Sequence, residues 1–297
     1  MTLYQFADIS HHEGDIDIQA FANQRHNLLV CKASDNYHLP DIHGNYNFAA
    51  EQHTDSRFVQ NFSGARANGL AAGAYHFCRF DRPLPLTKRT AIVEANLAYF
   101  QAAIRQLPDQ HQAEIETAIL DMEQSPEQLK AAGLNRTIVS AMAKDMVSLF
   151  LEHYRHVILY SGSWWTDEWL TAETTGWMAE RIGVWEPEYI KLASNYPQNT
   201  NYQPSLPKGF SNDYAASADD LTGKLFAWQY TAKGRLPGIS ADIDLNLTAL
   251  NQTELARLFH GEEPTADQSP DDKVLTALHS LDEKVTEILA LVQQIAV

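Results

Sequence analysis

The sequence predicts an α/β fold, a (β/α)8-type barrel with a further heptad-repeat helix at its C-terminal end. Three observations carry that prediction. Short apolar runs of strand length alternate along the chain with longer stretches of helical period, the order expected of strands wrapped by helices. Acidic residues stand where apolar runs end, at Asp8, Asp35 and Asp121, and such a barrel assembles its site from its C-terminal strand ends. The chain has 297 residues, enough for one barrel of about 250 residues and an appendage.

The first strand is LYQFAD, whose Leu3, Tyr4 and Phe6 lead to Asp8 and a polar, Gly-containing loop. A helix over Ile16 to Gln24 and a strand over Asn27 to Ala33 repeat the unit, with Lys32, Ser34 and Asp35 at the strand end. Residues 36–54 are polar, His- and Asn-rich and aperiodic, which reads as a long loop. Asp55 or Ser56 caps a helix to Asn68 and Gly69 closes it. Ala71 to Arg79 is the third strand, and after Pro83 and Pro85 an amphipathic helix runs from Thr87 to Gln106. The fourth strand is TAILDMEQ, Thr117 to Gln124. A helix over Asn135 to Tyr154 leads to a strand at Val157 to Tyr160, then another at Ile182 to Trp185. Residues 191–222 read as loop. Strands over Leu225 to Thr231 and Ile239 to Leu245 and a helix over Thr248 to Phe259 complete a barrel of residues 1–261.

Composition changes after Gly261. Residues 262–272 form an acidic, Pro-containing linker. In 273–297 apolar residues recur at alternating steps of four and three, from Val274 through Leu278, Leu281, Val285, Ile288 and Val292 to Ile295. That is a heptad seam, and a lone helix with such a face needs a partner; the expectation is a homo-oligomer, the alternative a helix that folds back on its own barrel. Net charge is −16, which argues against nucleic acid or an anionic membrane surface as partner. Cys31 and Cys78 each sit in an apolar strand-like run and read as buried thiols. No basic segment followed by an apolar one opens the chain, and no run approaches 18 apolar residues. The expectation is a protein made in the cytoplasm without its own export signal.

The candidate chemistry lies in the fourth strand. Side chains alternate along a strand, so Asp121 and Glu123 share a face with Cα atoms roughly 6.5 Å apart. Two carboxylates that close raise at least one pKa, and an acid kept protonated near neutrality is what protonates the leaving oxygen of a glycoside. His11, His12, His38, His43 and His53 tempt a metal reading. Adjacent residues diverge in direction and no ligand spacing such as HExxH occurs, so neither metal nor other cofactor is expected.

Nine stretches then stand in order: ADIS with GDID, VCKAS, DSRF, ARANGLAAGAYHFCRF, LDME, LYSGSWW, AWQYTAKGRLPGI and DIDLN. Together they resemble glycoside hydrolase family 25, lysozymes that cut the β-1,4 bond between N-acetylmuramic acid and N-acetylglucosamine in peptidoglycan. The resemblance covers about residues 4 to 250 and implies an irregular barrel with fewer helices than strands. It implies that Glu123 is the general acid and Asp121 its partner, with Asp8 and Asp244 as the other pocket acids. It further implies retention of anomeric configuration with the substrate's 2-acetamido oxygen as nucleophile, and a Tyr75 hydroxyl in the pocket. The alternative for Tyr75 is a core aromatic whose hydroxyl merely finds a partner, and His76 reads equally as a site residue or as a core histidine. Trp185, Trp228 and Tyr230 either face sugar rings or fill the core.

Three departures stand out: Glu186 and Pro187 where the family shows small or apolar residues, Ile18 where an aromatic often follows the acid, and the long 36–54 loop. The partner implied is peptidoglycan, and the biological counterpart a phage-type endolysin that reaches the wall once the membrane opens. Residues 262–297 carry −6 of the charge, leaving a negative barrel that anionic walls would repel unless oligomerisation compensates by avidity. The rivals are a non-catalytic wall-binding barrel and a hydrolase of another N-acetylated glucan.

Overall fold

The computed structural model describes residues 2–23, 26–35, 54–81, 89–189 and 202–261. The 36–54 loop, apart from Thr54, the linker 262–272 and the heptad segment 273–297 lie outside the described residues. Eight strands close a ring: β1 (Tyr4–Ile9), β2 (Leu28–Asp35), β3 (Ala71–Phe77), β4 (Thr117–Asp121), β5 (His156–Tyr160), β6 (Gly183–Pro187), β8 (Lys224–Gly234) and β9 (Ile243–Thr248). A short strand β7 (Ser211–Tyr214) pairs with the start of β8.

The ring is parallel from β1 through β6 to β8, but β9 runs antiparallel to both β8 and β1. The expected eighth strand over Ile239 to Leu245 is corrected to Ile243–Thr248, so Asp244 stands near the start of its strand, where the sequence reading had put it at the exit. The physical reason is the connection: β8 and β9 form a hairpin, which joins antiparallel neighbours, whereas a parallel crossover needs a dozen residues or more. Reversal puts the start of β9 beside the exit of β1, and Asp244 is the register partner of Asp8.

Strand alternation separates two cores. Ala72, Ala74, Ala118, Leu120, Val157 and Leu159 face outward and pack with helices, chiefly α2 (Phe58–Ala67), α3 (Arg89–Ile104) and α6 (Arg136–Leu151). In α6 the Asn135 side chain accepts from Ile138 N at 3.1 Å, and Val139, Met142, Ala143, Met146 and Phe150 form the buried face. Phe6, Val30, Ala71, Ile119, Ile158, Trp185 and Phe226 fill the barrel interior. The closing helix (Gln252–His260) brings Leu255, Leu258 and Phe259 against that inner set. Gly73 makes room: a Cβ there would lie 2.9 Å from the Phe259 ring and 3.1 Å from Val30. Cys31 and Cys78 are free and buried. No helix among the described residues is long and apolar enough to cross a membrane.

Candidate active site

A cavity opens at the C-terminal end of the parallel strands, lined by Asp8, Tyr75, Ile119, Asp121, Glu123, Tyr160, Trp185 and Asp244. Each lining residue is on the inward parity of its strand. In β4 that parity runs Ile119, Asp121 and on to Glu123, while Leu120 and Met122 face the helices. Beyond the strand the backbone stays pinned. Cys78 N donates to Asp121 O at 2.8 Å and Met122 N to Tyr160 O at 2.9 Å. Ser161 Oγ donates to Met122 O at 2.6 Å and the Trp165 indole to Gln124 O at 2.8 Å. Glu123 is thus held between two carbonyls that are themselves hydrogen-bonded.

The far wall is built differently. Asp8 Oδ1 accepts from the Asn246 amide at 2.8 Å and the Gln229 amide at 3.1 Å. Gln229 Oε1 in turn accepts from the hydroxyls of Tyr160 and Tyr189, each at 2.8 Å, and Asn246 Oδ1 accepts from the Trp185 indole at 2.9 Å. These donors fix which way both amides point.

Burial raises all four acids, and their like charges add to it. The Asp8 carboxyl rises to about 6, held there against further increase by its Asn246 and Gln229 bonds. Glu123 rises to about 7 through burial and the nearby Asp8 charge, with Lys32 opposing. Asp244 rises to about 8 through burial and Asp8. Asp121 is pushed well up by burial and then by Glu123, and its Oδ1 is buried without a hydrogen-bond partner. Lys32, which also bonds Asp35 at 3.2 Å, is the cation that opposes the rise at both Asp121 and Glu123.

Six sequence-predicted residues therefore share the cavity: Asp8, Tyr75, Asp121, Glu123, Trp185 and Asp244. Three do not, and strand parity is the reason. His76 faces the helix layer, bonded to Ser34 Oγ at 2.8 Å and Asn96 Oδ1 at 2.9 Å beside Phe100 and Phe150. Trp228 donates its indole N–H to Glu188 O at 2.8 Å and stacks on Tyr202. Tyr230 bonds Gln5 and packs near Trp228. The residue between them, Gln229, bonds Asp8, and sequence reasoning missed it together with Asn246 and Tyr160. A lone polar residue between two buried aromatics was the available signal, because a buried amide must be satisfied. Glu186 also faces away from the cavity; its Oε1 accepts from Ser163 N at 2.7 Å and burial raises its carboxyl to about 8.

The profile of Glycosyl hydrolases family 25 matches residues 7–239. The chain belongs to that family. It is a glycoside hydrolase with the family 25 barrel. It is 25% identical over 244 residues to lysozyme M1 of Streptomyces globisporus, a match covering 82% of this chain and 66% of that relative's length. The hydrolase fold is similar to the bacterial lysozyme from Streptomyces coelicolor, with TM-score 0.58, 20% identity, and 87% and 97% of the two chains covered. A family 25 glycosyl hydrolase from Bacillus anthracis superposes with TM-score 0.57 at 22% identity, covering 86% of this chain and 92% of the other.

Proposed function

We propose that this hydrolase cleaves peptidoglycan at the β-1,4 bond between N-acetylmuramic acid and N-acetylglucosamine, with retention through the substrate's 2-acetamido group. The observation that carries the reading is the pair at the exit of β4: Asp121 and Glu123 both line the cavity, and Glu123 keeps its proton to about pH 7. Glu123 donates that proton to the glycosidic oxygen as the C1–O bond breaks. The acetamido oxygen bonds to C1 from the other face, and Asp121 accepts from the acetamido N–H, stabilising the cyclic cation. Water then attacks C1, giving its proton to the Glu123 carboxylate and reopening the ring. Two inversions at C1 give net retention, and no enzyme nucleophile is needed, the exception to the carboxyl-separation rule. Asp8, kept the most acidic of the three carboxyls whose rise is bounded, adds negative charge opposite the developing cation.

Clearing of purified walls, mass spectrometry of the products and NMR of the first anomer formed test this reading. N-acetylmuramic acid at the new reducing end, first released as the β anomer, is expected. N-acetylglucosamine ends, initial α anomer, or cleavage of chitin fragments without action on walls would overturn it. The heptad segment 273–297 extends the proposal to a homo-oligomer that binds walls through several linked barrels. A chain ending at Gly261 should be monomeric, keep its rate per site on soluble fragments and lose activity on intact walls; light scattering and the two assays check it.

A further inference from the structure

Trp164 is 54% exposed and Tyr189 56% exposed, the two large apolar side chains left open among the described residues. Both leave the C-terminal ends of neighbouring strands, β5 and β6, on the side of the barrel where the cavity opens. The Tyr189 hydroxyl bonds Gln229, which bonds Asp8. The turn that carries Trp164 is tied to both neighbours: Ser161 Oγ and the Trp165 indole bond the carbonyls on either side of Glu123, and Ser163 N bonds the Glu186 carboxylate. The indole folds back onto Gly162, where an added Cβ would lie 2.2 Å from Nε1 and 2.5 Å from Cδ1. Glycine at 162 therefore seats the ring, and the buried Glu186, one of the departures from the family pattern, holds the turn beneath it.

We propose that Trp164 forms a sugar-stacking subsite on the rim of the catalytic cavity, beside Glu123, for a ring of the glycan strand outside the cleaved linkage. The occupant is a pyranose, whose C–H face is apolar and flat enough to lie on an indole, and whose neighbouring rings continue into the cavity. An aromatic already seated gives up little freedom on binding. The inference rests on the glycan-cleaving reading above.

The test is kcat/KM on glycan strands of graded length. Trp164→Ala should lower it roughly two- to tenfold on long strands, with the loss shrinking as strands shorten, and Trp164→Phe should restore most of it. Gly162→Ala, which displaces the indole and leaves the cavity lining intact, should lose activity in the same direction. Calorimetry of strand binding in a Glu123→Gln background should show weaker binding when Trp164→Ala is added. Unaltered kcat/KM on long strands in Trp164→Ala, or a loss equal at all lengths, overturns the subsite while the parent enzyme still cleaves. A parent enzyme that cleaves no glycan overturns the reading beneath it.

Discussion

The two walls of the cavity treat their acids differently. At the exit of β4, the hydrogen bonds from Ser161 Oγ and the Trp165 indole go to the backbone on either side of Glu123, and Asp121 Oδ1 has no donor. On the hairpin side, Asp8 receives two side-chain amides whose own orientation is set by Tyr160, Tyr189 and Trp185. Burial alone would raise every carboxyl; what separates them is the supply of donors. Asp8 is held to about 6, whereas Glu123 goes to about 7 and Asp244 to about 8. Glu123 keeps a proton for donation at a pH where Asp8, on the opposite wall, has already taken up its negative charge.

Removing the donated proton gives the largest effect. Glu123→Gln keeps the shape but cannot donate, so kcat on wall fragments should fall by about 10² to 10⁴ while strand binding, measured by calorimetry, persists. Turnover near that of the parent would mean that the proton comes from the other wall. Next in size is Gln229→Ala, which takes one donor from Asp8. Its carboxyl then rises, so the acid limb of kcat/KM should move to higher pH, with a loss of roughly tenfold at pH 5. An acid limb that stays in place would show that Asp8 need not be ionised.

A smaller shift is expected from Lys32→Met. Lys32 opposes the rise of Glu123, so without it Glu123 holds its proton to higher pH and the alkaline limb of kcat/KM, near pH 7 in the parent, moves up. A downward move would place the alkaline limb on another group. The smallest effect concerns stability. Glu186 is raised from 4.5 to about 8 in the fold, so between those pH values the folded chain keeps a proton that the unfolded chain releases, and stability falls as pH rises. Asp8, Glu123 and Asp244, also raised, add to the same slope. Tm should therefore drop from pH 5 to pH 8, and Glu186→Gln, which still accepts from Ser163 N, should flatten that drop. An unchanged slope would mean that Glu186 is ionised throughout.

Parity along strands explains how much of this could be read in advance. TAILDMEQ placed Asp121 and Glu123 on one inward face because a strand alternates with period two, a local property. In AWQYT the same rule put either the aromatics or Gln229 into the barrel, and nothing local chose between them. Glu186 stands out in the sequence as a departure from the family pattern, and its outward parity makes it the anchor of the Trp164 turn.

By itself the sequence determined the strand–helix order, the family, and the residues from which the acids come, since each follows from short-range periodicity or from motifs. The tertiary structure decided the rest. It set the reversed direction of β9 that brings Asp244 beside Asp8, the inward face of β8, and the amide network that separates the acids' proton affinities. Those depend on which strands become neighbours when the barrel closes, and on how many donors remain once water is excluded. Neither is written in any stretch short enough to have its own period.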